Sequence, residues 1–97
     1  MQQLTGKQVR FLRGLGHHLQ PVVMIGKEAL SNAVLASLEE ALAAHELIKV
    51  KLQEGCLLDR RKAASILAEK TGSAVAQVLG KTILLFRQSE SRKINLP

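Results

Sequence analysis

A chain of 97 residues has room for one domain with a real core and is short for two. Its 46% hydrophobic content suits a globular protein rather than a disordered tail, and no apolar run approaches the ~18 residues of a membrane span. Fourteen basic against eight acidic residues leave a net charge of +6 and a pI near 10.0, which points to polyanionic partners (RNA, DNA or anionic lipid) unless the charge serves only solubility.

The first predicted element is a helix. Leu4, Gln8, Phe11, Leu12, Leu15 and Leu19 recur at three- and four-residue steps, the spacing of one buried face. Thr5 is the candidate N-cap, Gly14 and Gly16 weaken the last turn, and Pro21 ends the helix. The other face carries Lys7, Arg10, Arg13 and His17. A solvated face usually mixes signs, and this helix has no acidic residue, so the stripe reads as a binding face. The basic opening stretch also resembles a transit peptide, but it is poor in Ser and its apolar spacing is that of a folded helix.

Residues 22–25 form a short strand, apolar on both sides. A glycine-lysine loop follows. Gly26 permits close approach, free backbone N–H groups suit phosphate oxygens, and Lys27 adds charge. By spacing alone a tight strand-to-helix turn with an exposed lysine is the better reading, and Glu28 opposes a bare phosphate cradle. Ser31 caps a second helix with Val34, Leu38, Ala41, Leu42 and His45 in one stripe, which places His45 at the core edge.

Residues 47–52 alternate, with Ile48, Val50 and Leu52 on one side and Leu47, Lys49 and Lys51 on the other: a half-exposed strand. Asp59 caps a third helix carrying Ala63, Ile66, Leu67 and Lys70 along one side, and Gly72 ends it. Its first turn holds Arg60, Arg61 and Lys62, cations that oppose the helix dipole. Residues 74–79 and 82–86 are two strands joined by Gly80-Lys81 as an antiparallel hairpin. Residues 88–97 form a polar, basic tail ending in Ile-Asn-Leu-Pro.

The order α-β-α-β-α-β-β implies a single α/β domain with a four-stranded mixed sheet. The first and last strands, apolar on both sides, are expected in the centre with helices on both sheet faces. The Lys49/Lys51 strand is expected nearer an edge or beneath the thinner helix layer. Lys81 and Arg87 would extend its basic surface.

No constellation for catalysis is visible. His17 and His18 lack Cys or acidic neighbours at metal-ligand spacing, so no metal or other cofactor is expected. Cys56 is the only cysteine, which rules out an internal disulfide and fits a reducing, cytoplasmic setting. It has no base partner in the sequence. Gly80-Lys81-Thr82 lacks the earlier glycine and the following helix of a P-loop. The only aromatics are Phe11 and Phe86, too few for the stacking platforms with which many modules read unpaired bases.

Several segments agree in order and spacing with one family: LRGLGH at residues 12–17, LQPVVMIGKEALS at 19–31, HELIKVK at 45–51, KTGSAVAQVLGKTILLFR at 70–87 and RKINLP at 92–97. Together they resemble a free-standing CRM domain, the chloroplast RNA splicing and ribosome maturation domain, in its bacterial YhbY form. The resemblance implies an RNA-binding domain whose shape is related to the C-terminal domain of a bacterial translation initiation factor. Bacterial members associate with precursors of the large ribosomal subunit, and plant relatives act in group II intron splicing. The family's GxxG loop falls on residues 26–29. Here the second glycine is Ala29, and alanine resists positive φ.

The expected function is therefore non-enzymatic binding of ribosomal RNA by a cytoplasmic monomer. Gly26, Lys27 and Ala29 form its loop; Lys7, Arg10, Arg13, Lys49, Lys51 and Lys81 supply charge. A duplex DNA-binding module and a basic protein-interaction domain are the alternatives.

Overall fold

The computed structural model describes residues 3–26, 30–56 and 58–97. In chain order it contains α1 (Gly6–Gly16), β1 (Pro21–Ile25), α2 (Asn32–His45), β2 (Leu47–Leu52), α3 (Arg60–Thr71), β3 (Ala74–Leu79) and β4 (Thr82–Phe86). Each helix begins where its cap residue stands. The Thr5 hydroxyl accepts the Gln8 N–H at 3.1 Å while the Thr5 N–H donates to Gln8 Oε1 at 3.0 Å, a reciprocal capping box. Ser31 Oγ accepts the Val34 N–H at 3.2 Å. Asp59 Oδ2 accepts the N–H groups of Arg61 and Lys62, each at 3.2 Å, which offsets the cations in that turn. Gly72 ends α3 at φ 65°, and Gly80 makes the β3–β4 turn at φ 59°.

The sheet order is β1-β2-β4-β3. β1 and β2 are parallel, joined through α2; β4 runs antiparallel to both β2 and β3. The expected hairpin and the central β4 are present. β1, however, is an edge strand, and the lysine-bearing β2 is an inner one. Val23 and Ile25 of β1 are buried, but Val22 and Met24 are 54% and 53% exposed, so its two apolar faces do not mean two covered faces.

Helices lie on both faces of the sheet. On one, Leu38 and Leu42 of α2 and Ala63, Leu67 and Ala68 of α3 pack against Val23, Ile25, Ile48, Val50, Ile83 and Leu85. On the other, Leu12 of α1 meets Leu47, Ala76, Leu84 and Phe86, flanked by Leu4 and Leu19. The alternation along β2 turns Leu47, and with it Lys49 and Lys51, toward this thinner single-helix layer. Two expected core positions on α1 stay open: Phe11 and Leu15 are 39% and 41% exposed. His45 also differs from expectation and is exposed at the end of α2.

Gly16 sets how closely α1 approaches the sheet. A Cβ at this position would lie 2.6 and 2.7 Å from the two methyl carbons of Leu84, itself buried. Gly16→Val should therefore lower unfolding stability by about 1–3 kcal/mol in urea titration. At Gly14 a Cβ meets nothing within 4 Å, and Gly14→Ala should raise stability by about 0.5–1 kcal/mol. Equal effects of the two substitutions would contradict this packing.

The basic tail docks on the α1 side. Ile94 and Leu96 pack against the Leu12 cluster, and the Gln8 side chain donates to the Pro97 carbonyl at 3.2 Å. Its anchor is Glu46, the residue that ends α2. Glu46 is buried and has φ 65°. Its carboxylate accepts the N–H groups of Ser89 and Ile94, both at 2.8 Å, and the Ser89 hydroxyl. Lys93 Nζ adds a bond to the Ala44 carbonyl at 2.6 Å.

Candidate nucleic-acid interface

Gly26 follows β1 directly, at the end of the sheet where parallel β1 and β2 both finish. Gln53 ties the two strands together there. Its N–H donates to the Ile25 carbonyl at 2.8 Å, its carboxamide nitrogen reaches Met24 Sδ at 3.6 Å, and its Oε1 fills the place beside Gly26 that a Cβ would enter, 2.9 Å away. The β3–β4 turn arrives at the same end, because the Leu52 N–H donates to the Lys81 carbonyl at 2.7 Å. Lys51 stands in register with Met24 on one side and Thr82 on the other. Met24, Lys51, Leu52, Gln53, Glu54 and Lys81 consequently line one open cleft.

Of the residues predicted to bind, the structure thus gathers Gly26, Lys51 and Lys81. Lys49 lies two residues back along the same face of β2, in a groove it shares with Leu15, Leu19, Val22 and Leu47. Lys7, Arg10 and Arg13 are exposed on α1, the helix that covers this same sheet face. Lys27 and Ala29 lie outside the described residues. Among the described residues no acidic side chain pairs with Lys7, Arg10, Arg13, Lys49, Lys51 or Lys81.

Arg60 joins the group, since its guanidinium donates to the Gly80 carbonyl at 3.0 Å and it lines a cleft together with Lys81. The sequence shows Arg60 only as part of a run of cations; its link to the β3–β4 turn depends on tertiary packing. Arg87 does not belong to the surface. It forms the ion pair with Glu39 at 2.7 Å and donates to the Thr71 carbonyl at 2.9 Å, which fixes it against α2 and α3 on the opposite side. Among the described residues no group of three or more His, Cys, Asp or Glu side chains is placed to hold a metal ion, and no helix is long and apolar enough to cross a membrane.

The end of β1 at Gly26 and the cationic strand end beside it can grip a phosphate backbone. The sequence profile of the CRS1 / YhbY (CRM) domain matches residues 4–87. The chain belongs to the CRM domain family. It is 43% identical over 97 residues to an RNA-binding protein of Haemophilus influenzae, covering 100% of this chain and 98% of that protein. It is 41% identical over 95 residues to the probable RNA-binding protein YqeI of Bacillus subtilis, covering 97% and 99%. The solution structure of the hypothetical protein SAV1595 of Staphylococcus aureus superimposes with a TM-score of 0.83 at 38% identity, covering 98% of this chain and 100% of that one. In this CRM domain Gly26, the first position of the family's loop, lies beside Gln53 at the sheet end that carries Lys51 and Lys81.

Proposed function

We propose that this CRM domain binds structured ribosomal RNA in precursors of the large ribosomal subunit, as a cytoplasmic monomer that assists assembly without catalysis. The observation that carries the reading is the convergence of Lys51, Lys81 and Gly26 at one sheet end, on the same side as Lys49 and the cations of α1. Phosphates would be neutralised by these side chains and approached by the backbone at Gly26. Relatives named as RNA-binding proteins support the choice of RNA. Duplex DNA suits the surface less well, because strands separate the three helices and, among the described residues, no helix-turn-helix pair is placed to enter a major groove.

The test is a binding titration with a ribosomal RNA fragment at increasing salt, with duplex DNA as competitor. Engagement of about five phosphates predicts that affinity falls by roughly two to three orders of magnitude between 50 and 200 mM salt. A flat salt response, or better competition by DNA than by unlabelled RNA, would overturn the proposal. In cell extracts the protein should sediment with large-subunit precursors and leave them on ribonuclease treatment. Co-sedimentation that survives complete RNA digestion would instead indicate an acidic protein partner.

A further inference from the structure

Four exposed apolar side chains form one strip on the α1 side of the molecule. Phe11 and Leu15 are one helical turn apart on α1. Leu15 and Val22 line the same groove, and Val22 and Met24 follow each other on one face of β1. The strip thus runs from α1 to the end of β1 before Gly26, where the Gln53 carboxamide donates to the Met24 sulfur. Single exposed apolar residues are ordinary, but a contiguous row of large ones beside a functional surface marks a contact site. Of the chain's two aromatics, Phe86 is fully buried, so the ring that remains available lies on this strip.

Charge identifies the occupant. Lys51 stands in register with Met24, and Lys49 shares the groove of Val22. The strip is therefore bordered by a cation at every second residue of the adjoining strand, about 7 Å apart. An apolar row edged by positive charge complements a chain of flat, weakly polar bases edged by phosphates. A duplex cannot fill it, because paired bases keep their faces stacked and an A-form helix offers mainly riboses and phosphates. Met adds a polarizable sulfur that suits aromatic faces, and the Gln53 carboxamide carries both a donor and an acceptor for a base edge.

We propose that Phe11, Leu15, Val22 and Met24 seat the bases of an unpaired RNA segment, while Lys49 and Lys51 hold its phosphates. The proposal rests on the RNA-binding reading and deepens it: the preferred ligand is a bulge, internal loop or single-stranded stretch next to a duplex.

The experiment compares one RNA hairpin with the same hairpin carrying a three-nucleotide bulge. The wild-type protein should prefer the bulged form. Phe11→Ser/Val22→Ser changes two half-exposed side chains of the strip that do not line the Lys51–Lys81 cleft, and its folding is checked by thermal melting. It should bind the bulged RNA about 10-fold more weakly and the plain hairpin unchanged. Phe11→Leu, which keeps apolar bulk and removes the ring, should also lose part of the preference. A double variant that keeps full preference overturns the seat and leaves backbone binding intact. Equal losses on both RNAs also overturn it. Failure of the wild type to bind either RNA removes the underlying reading as well. A wild-type dimer dissolved by the double substitution would assign the strip to a second copy and overturn the proposal.

Discussion

Glu46→Ala should destabilise the fold by about 2–4 kcal/mol, because it leaves three half-buried hydrogen-bond donors without their buried, charged acceptor. For a domain of this size that is a fall in Tm on the order of 10–20 °C. The Glu46 carboxylate ties the α2–β2 junction to the C-terminal segment. The Glu46 carbonyl meanwhile accepts the Arg87 N–H at 2.8 Å. Loss of the side chain should thus release residues 89–97 and uncover the Leu12 cluster. Hydrogen exchange should show this as lost protection at Ser89 and Ile94. Glu46→Gly removes the same carboxylate but relieves the positive φ, so it should be milder than Glu46→Ala.

The same carboxylate sets an acid limit on stability. Burial alone would raise its pKa; bonds from the Ser89 hydroxyl and from the Ser89, Ile94 and Lys93 backbone outweigh that and bring it down from 4.5 to about 2. A folded-state value below the unfolded one means that the contribution is fully present above pH 4.5 and fades as pH falls toward 2. Wild-type Tm should therefore drop through that window. Glu46→Gln, which has no titrating group, should start lower and show a flatter profile there. A glutamine variant with an equally steep drop would show that other groups drive the acid transition.

Element order was legible because local chemistry marks each boundary. Thr5, Ser31 and Asp59 cap their helices, Gly72 and Gly80 take the positive φ that ends or turns the chain, and the alternation in LIKVKL declares a half-covered strand. The place of β1 was not legible. An apolar run such as PVVMI looks the same whether both faces are covered or one is left exposed. The periodicity of α1 likewise marks Phe11 and Leu15 as apolar but cannot show that the helix packs through Leu12 and Gly16 instead. At the site, the lysine pattern of β2 can be read directly. Its proximity to Lys81 and Gly26 follows only once β4 is known to lie beside β2. Glu46 and the docking of Ile94 and Leu96 depend on partners far away in sequence, to which no local pattern points.

The double variant Lys51→Glu/Lys81→Glu should show the largest loss of RNA binding. It lowers the formal net charge from +6 to +2, by two units at each of two positions, with the whole change at one end of the sheet. Loss of two charge-assisted phosphate contacts corresponds to roughly 100-fold weaker binding, before the added repulsion is counted. The slope of log affinity against log salt should become shallower by about two. Both lysine side chains are exposed and neither has an ion-pair partner among the described residues, so Tm should change little. Arg87→Glu makes an equal charge change per residue at a contrasting place. It breaks the bond to Glu39 and puts two carboxylates together, so it should lower Tm while the folded protein keeps its RNA affinity. If Arg87→Glu cost about half the logarithmic loss of the lysine pair, in proportion to its two-unit charge change, the interaction would depend on total charge alone. A large loss confined to Lys51 and Lys81 would place the RNA backbone at the end of the sheet, beside Gly26.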